Sequence, residues 1–185
     1  MIKRATDVFA ALCCLLSLAP VLCLVAVAVY LDGGCPVLFR QTRLGQGGQP
    51  FSMYKFRSMI VNTDKRGAYF TSRNDPRITS VGRFIRRTSL DELPQLINVL
   101  IGDMSLVGPR PDVPAQRSLY TDTDWTLRCS VRPGITGLAQ ALYRSESTEA
   151  QRLEADLRYA REASIWLDLK ICWWTVKRLS GRGAN

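Results

Sequence analysis

The apolar residues of this chain fall into two kinds of segment. From Val8 to Leu31 there are 24 consecutive residues without a charge, VFAALCCLLSLAPVLCLVAVAVYL. As one helix that run would measure about 36 Å, against a hydrocarbon core of about 30 Å. Elsewhere the apolar positions come in short groups between turn signals. Val37, Leu38 and Phe39, then the turn-rich Gly45-Gln46-Gly47-Gly48, then Phe51, Met53, Tyr54 and Phe56 predict a β-hairpin over Pro36 to Met59. Asn62 to Pro76 is polar and holds the turn signal Asn74-Asp75-Pro76. Ser80 to Arg87 predicts a short basic helix with Phe84 and Ile85 as apolar inserts. Leu93, Leu96, Ile97, Leu100 and Ile101 predict an apolar helix over Leu90 to Ile101. Gly108-Pro109-Arg110-Pro111 and Arg132-Pro133-Gly134 read as rigid loops. Glu146 to Arg161 predicts a charged helix, and Trp166 to Leu179 a last one.

The long run has basic residues on both sides: Lys3 and Arg4 before it, Arg40, Arg43, Lys55 and Arg57 after it. A signal peptide opens in the same way, but this run is long and no small-x-small cleavage site follows. Positive charge at both ends favours the same, cytoplasmic side for both. Pro20 sits at the centre of the run, where it removes a ladder hydrogen bond and kinks a helix. A straight span and a kinked helix that leaves by the face it entered both stand on these grounds. The last helix mixes Trp166, Trp173 and Trp174 with Lys170, Lys177 and Arg178. That composition suits a membrane interface, or a helix packed on the body of the protein.

Composition narrows the chemistry. The 185 residues suffice for one domain, and 25 Lys and Arg against 16 Asp and Glu leave a formal charge of +9. Histidine is absent, which excludes Ser-His-Asp hydrolysis, Cys-His proteolysis and His-ligated zinc or haem. The six cysteines form no C-x-x-C pair and read as reduced, structural thiols in a protein facing the cytoplasm.

The densest candidate chemistry lies in Arg86-Arg87-Thr88-Ser89-Leu90-Asp91-Glu92-Leu93-Pro94. Read plainly it is a helix start. Ser89 and Glu92 have capping-box spacing, or Asp91 caps and Pro94 falls in the first turn. Both versions put two carboxylates at the positive end of a helix dipole. The same features allow chemistry. A carboxylate there, near Arg86 and Arg87, is expected to stay ionised and is a competent nucleophile toward phosphorus. An adjacent Glu can hold Mg²⁺, and arginines can neutralise phosphate oxygens. On this pattern alone the plain reading is the commoner one.

Longer motifs decide more. RFIRRTSLDELPQLINVLIGDMSLVGPRP (Arg83 to Pro111), YKFRSM (Tyr54 to Met59) and VRPGITGLAQ (Val131 to Gln140) closely resemble the bacterial sugar transferase family, from KRATD near the start to LDLKI near the end. These are the monotopic phosphoglycosyl transferases, and by its length the chain resembles their small form. The resemblance implies an α+β, mainly helical fold. A re-entrant, kinked membrane helix over residues 1–31 would precede a catalytic domain over 32–185, with a small β-hairpin and amphipathic interfacial helices. It implies transfer of a phosphosugar from a UDP-sugar to undecaprenyl phosphate with release of UMP, through a covalent aspartyl intermediate. Asp91 matches the family's nucleophile and Glu92 its Mg²⁺ ligand. Arg86, Lys55, Arg110 and Arg144 match its substrate-binding positions. The family breaks its re-entrant helix at a Ser-Pro pair, here Ala19-Pro20, so the proline stays and the hydroxyl is gone. Ser17 is offset by two positions. Lys3, Arg4 and Asp7 resemble the polar entry to that helix.

The implied place is the cytoplasmic face of the bacterial inner membrane. Undecaprenyl phosphate, a UDP-sugar and downstream glycosyltransferases are the expected partners, and a homodimer fits. The sugar is not legible, and contacts around Ala141 to Ser147 are expected to help choose it. A membrane-anchored basic protein binding nucleic acid or an acidic partner is the rival, but the basic residues are dispersed and aromatic interleaving is missing. A two-carboxylate hydrolase is disfavoured because adjacent Asp91 and Glu92 cannot flank a sugar from opposite faces. An inactive family member is disfavoured by the intact dyad and PRP motif.

Overall fold

The computed structural model describes residues 2–60, 75–143 and 148–179. Most of the polar Asn62 to Pro76 segment lies outside them, as do Arg144 and the rest of 144–147. The chain is mainly helical, with a small antiparallel hairpin as expected.

The apolar run forms two helices, α1 (Ile2–Ser17) and α2 (Ala19–Gly33), bent by 64° at Leu18. Pro20 is the second residue of α2. There its missing N–H is one of the donors that every helix start leaves unpaired. The ladder continues around it, from Leu18 N–H to the Cys14 carbonyl and from Leu22 N–H to the Leu18 carbonyl, both 2.9 Å. Ser17 Oγ also donates to the Cys14 carbonyl at 3.2 Å, so a hydroxyl does bond back at the break despite its offset.

Both outer ends of the bent pair attach to the same body. At the start of α1, the Arg4 guanidinium donates to the Val99 and Leu100 carbonyls, and Lys3 pairs with Asp168. Buried Asp7 accepts from Ser105 Oγ at 2.8 Å and Leu106 N–H at 3.2 Å. Ala11 packs with Met53, Leu96, Val99 and Met104. At the other end, Val25 and Val29 pack with Phe56 and Ile85. Asp32 Oδ2 accepts from Val81 N–H at 3.1 Å, and Arg57 Nη2 donates to the Gly34 carbonyl at 2.6 Å. Between these anchors Phe9, Leu12, Leu16, Leu24, Val27 and Leu31 are exposed.

The hairpin comprises β1 (Leu38–Leu44) and β2 (Pro50–Phe56), paired antiparallel across a tight turn over Gln46–Gly48. Gly47 and Gly48 adopt φ of 65° and 72° there, the left-handed region that glycine enters without strain. The next helix, α3 (Ser80–Arg87), matches its predicted span. It starts where Thr79 Oγ1 accepts from Gly82 N–H at 2.9 Å.

The single helix expected over Leu90 to Ile101 is divided. Leu90–Glu92 forms a 3-10 turn and α4 (Gln95–Ile101) begins after Pro94. Pro94 has no N–H to give the Leu90 carbonyl. Leu93 N–H takes that carbonyl instead, at 3.3 Å and one residue earlier, which is the tighter pattern. Asp91 and Glu92 therefore stand in the turn before α4 rather than in its first turn, and Ser89 makes no side-chain cap.

A second pair of strands was not expected. β3 (Ser105–Val107) and β4 (Gly134–Thr136) pair in parallel, so the Arg132-Pro133-Gly134 loop ends inside a strand. Glycine makes the approach feasible. A Cβ on Gly134 would lie 2.1 Å from the Gly108 nitrogen, and one on Gly108 would lie 2.2 Å from the Arg132 carbonyl oxygen.

Four helices complete the body: α5 (Asp122–Arg128), α6 (Leu138–Tyr143), α7 (Glu149–Glu162) and α8 (Ile165–Leu179). Thr148 and Gln151 form a capping box at α7. Val107, Leu138, Ala155, Tyr159 and Ile171 build the core between them. Helix α8 packs one face on the body of the protein and leaves the other exposed. Ile171 is fully buried and Leu167 and Trp174 pack with it, while Trp166, Leu169, Trp173 and Val176 form an exposed stripe spaced by three, four and three residues. Gly134→Ala is expected to lower stability by about 3 kcal/mol, because the clash is with main chain that cannot swing aside. Thermal unfolding of the detergent-held protein measures it.

Candidate active site

Glu92 is the hub. Its Oε1 accepts from Lys55 Nζ at 2.7 Å and from Arg110 Nη2 at 2.8 Å. Lys55 comes from β2, on the strand face that points Phe51 and Met53 into the core. Arg110 comes from the loop after β3. Burial alone would raise the pKa of Glu92, but Arg110 and Lys55 outweigh it and hold the carboxyl well below the usual range.

Asp91 is treated differently. It is 9% exposed, and it makes neither a hydrogen bond nor an ion pair with a described residue. Burial and the Glu92 charge raise its pKa, against opposition from Lys55, Arg86 and Arg110. The expectation of a plainly ionised dyad therefore divides. Glu92 is strongly ionised and spoken for, whereas Asp91 is unpartnered and its charge is disfavoured. Arg86, in the last turn of α3, lies near enough to act on Asp91 but makes no bond to it. The structure thus brings Lys55, Arg86, Asp91, Glu92 and Arg110 together. Pro20 stands apart at the bend, and Arg144 lies outside the described residues.

Several residues that hold this group were not singled out from the sequence. Ser89 has φ 58°, the lone non-glycine residue described with positive φ, and it turns the chain sharply into the dyad. Asn98, fully buried on α4, binds β2 edge-on. Its Oδ1 accepts from Tyr54 N–H at 3.0 Å and its Nδ2 donates to the Ser52 carbonyl at 2.7 Å, which fixes Lys55 relative to Glu92. Arg43 donates to Gln41 Oε1 and, at 3.0 Å, to the Pro111 carbonyl. Burial and then Arg110 bring its pKa down to about 10. Arg128 is 4% exposed between the carboxylates of Asp112 and Asp156. In the sequence these residues look like ordinary polar positions, and only their tertiary partners mark them.

The site carries more positive than negative charge: Lys55, Arg86 and Arg110 around Asp91 and Glu92. Such a cluster attracts phosphate groups. No three Asp, Glu or Cys side chains converge on a metal-sized site among the described residues. Two adjacent carboxylates fit an ion that takes one or two protein ligands and completes its shell from phosphate and water, as Mg²⁺ does.

The raised pKa of Asp91 has a signed consequence for stability. The native chain binds that proton more tightly than the unfolded chain does. Charged Asp91 therefore destabilises the fold above its native pKa and costs nothing below 3.8. Asp91→Asn is expected to raise the melting temperature at neutral pH, with a gain that fades as pH falls towards 3.8. Melting curves across pH measure it.

Comparison with known proteins supplies the family. The bacterial sugar transferase family model matches residues 1–182. A relative from Escherichia coli (strain K12), named UDP-glucose:undecaprenyl-phosphate glucose-1-phosphate transferase, is 49% identical over 95% of this chain and 39% of its own length. One from Aeromonas hydrophila, named UDP-N-acetylgalactosamine-undecaprenyl-phosphate N-acetylgalactosaminephosphotransferase, is 41% identical over 100% of this chain and 45% of its own length. The exopolysaccharide production protein PSS of Rhizobium leguminosarum bv. phaseoli is 43% identical over 99% of this chain and 97% of its own length. The chain thus spans less than half of the first two relatives and nearly all of the third. With the match running from its first residue almost to its last, the chain belongs to the bacterial sugar transferase family.

Proposed function

We propose that this chain moves a phosphosugar from a UDP-sugar to undecaprenyl phosphate and releases UMP. The observation that carries the reading is the split within the dyad: Glu92 fixed by two cations, Asp91 beside it buried and without a bonded partner. A nucleophile must have a free lone pair, and burial without pairing strips the water that would blunt it. The names of the relatives support the same donor and acceptor classes.

In this reading Asp91 attacks the phosphorus that carries the sugar. An Asp91 oxygen–phosphorus bond forms, and the bond to the UMP oxygen breaks with its electron pair. The phosphate of undecaprenyl phosphate then attacks the same phosphorus and frees Asp91. Lys55, Arg86 and Arg110 neutralise diphosphate oxygens and hold the donor in line. Asp91 and Glu92 would hold a bound Mg²⁺, which would offset the charge gathering on the leaving UMP.

The reading includes a re-entrant seat in the cytoplasmic leaflet of the inner membrane. The legs of the bent pair measure about 24 Å and about 22 Å, too short for either to cross a core of about 30 Å. With a bend of 64°, the tip lies about 12 Å below the line joining the two ends, within one leaflet. Anchoring of both ends on one body favours return to the side of entry. The exposed stripe of α8, with Lys177 stacked 5.2 Å from the Trp173 ring, suits the headgroup level of the same surface.

Two experiments test this. Protein held in nanodiscs, given a panel of UDP-sugars with undecaprenyl phosphate and Mg²⁺, is expected to release UMP with at least one sugar. Asp91→Asn should cut that rate by at least about a thousandfold and abolish the phosphosugar adduct in intact-mass spectra. Full activity in that variant removes Asp91 as nucleophile. In sealed vesicles an impermeant maleimide is expected to reach exposed Cys35 and a cysteine introduced by Ile2→Cys from the same side. Reaction from opposite sides would mean a full span.

A further inference from the structure

The loop that presents Arg110 contains Pro109 and Pro111, neither of which has an N–H to give a ladder. Its carbonyls show how it is held instead. Four consecutive carbonyl groups are each taken by a different donor. Gly134 N–H binds the Pro109 carbonyl at 2.9 Å, and Leu44 N–H binds the Asp112 carbonyl at 2.8 Å. The two between them are taken by arginine side chains. Arg128 Nη2 donates to the Arg110 carbonyl at 2.6 Å, and Arg43 Nη1 donates to the Pro111 carbonyl at 3.0 Å.

Arg128 does more than close one bond. Its guanidinium, on the last residue of α5, pairs with Asp112 Oδ2 at 2.7 Å and with Asp156 Oδ2 of α7 at 2.9 Å. The Tyr120 ring lies over it, 5.3 Å away. Such a cluster is expensive to bury, and a hydrophobic replacement would stabilise as well or better. Its geometry, however, restrains the main chain on either side of the Arg110 side chain. Arg128 holds the residue's own carbonyl and the carboxylate two positions on, while Arg43 holds the carbonyl between them.

We propose that Arg128, assisted by Arg43, is a positioning residue for Arg110. It fixes the backbone from which the Arg110 guanidinium reaches Glu92 and, resting on the phosphosugar-transfer reading above, the diphosphate of the donor. Arginine is required at position 128 because a planar fork can meet two carboxylates and a carbonyl at once, whereas one ammonium cannot.

A double-mutant cycle tests this on the full chain in nanodiscs. Arg128→Lys and Arg43→Met are each made alone and with Arg110→Ala, and cooperative melting is checked for all. UMP release is measured with the sugar that the unaltered chain uses, and affinity for UDP with Mg²⁺ by calorimetry. Each single variant is expected to lower kcat/KM about tenfold or more and to weaken UDP binding. With Arg110→Ala already present, adding either change should cost less than about twofold, since nothing remains to position. Equal losses in both backgrounds, or no loss in folded single variants, would overturn the proposal. Arg43→Met carries the test if Arg128→Lys fails to fold, because Arg43 lies outside the buried cluster. Should the unaltered chain release no UMP, the reaction proposed above falls, and the UDP-affinity cycle decides the positioning role by itself. Absence of Arg110-dependent UDP binding would overturn that role as well.

Discussion

Glu92 is the point where three separately built parts of the chain are tied together. The hairpin delivers Lys55, the proline-rich loop delivers Arg110, and the 3-10 turn delivers the carboxylate that both require. Lys55 and Glu92 are largely withdrawn from water, where an unpaired charge is costly, and the ion pairs satisfy them. The surrounding architecture serves this meeting. Asn98 fixes the strand against α4, Gly108 and Gly134 let two backbones touch beneath the loop, and Ser89 accepts a left-handed turn so that the dyad faces inward. Asp91 owes its isolation in part to the same arrangement, since Lys55 and Arg110 are engaged by its neighbour.

The bent helix pair and the site are not independent modules. Helix α1 packs Ala11 against Leu96, Val99 and Met104, the elements that follow the dyad. Helix α2 packs Val25 and Val29 against Phe56 and Ile85, which flank Lys55 and Arg86. A change in the bend or tilt of the pair therefore bears on both sides of the site at once.

What the sequence made legible follows from the range of the interactions involved. The hairpin, α3 and the two long terminal helices are encoded by periodicity and turn residues within a few positions, and they stand close to where they were expected. The proline that splits Leu90 to Ile101 was visible, but its effect depends on which carbonyl it orphans. The β3–β4 pair joins residues 105 and 134 through strands of three residues each, too short to carry a period. The contacts that give Arg43, Asn98 and Arg128 their meaning lie 16 to 68 positions away, so no local window distinguishes them from surface residues. Of the residues matched by family resemblance, Lys55, Arg86 and Arg110 converge on the dyad, and their convergence is a tertiary fact that the motifs only implied.

The amide of Asn98 has a consequence beyond alignment. A two-stranded hairpin leaves two free edges, and a free edge is a template on which another chain can add a strand. On β2 that edge is occupied: the Ser52 carbonyl and the Tyr54 N–H, the two groups an incoming strand would seek, are already bonded to one side chain. Asn98 imitates a third strand one residue long. That single amide closes the middle of this edge to strand addition by a second copy of the chain.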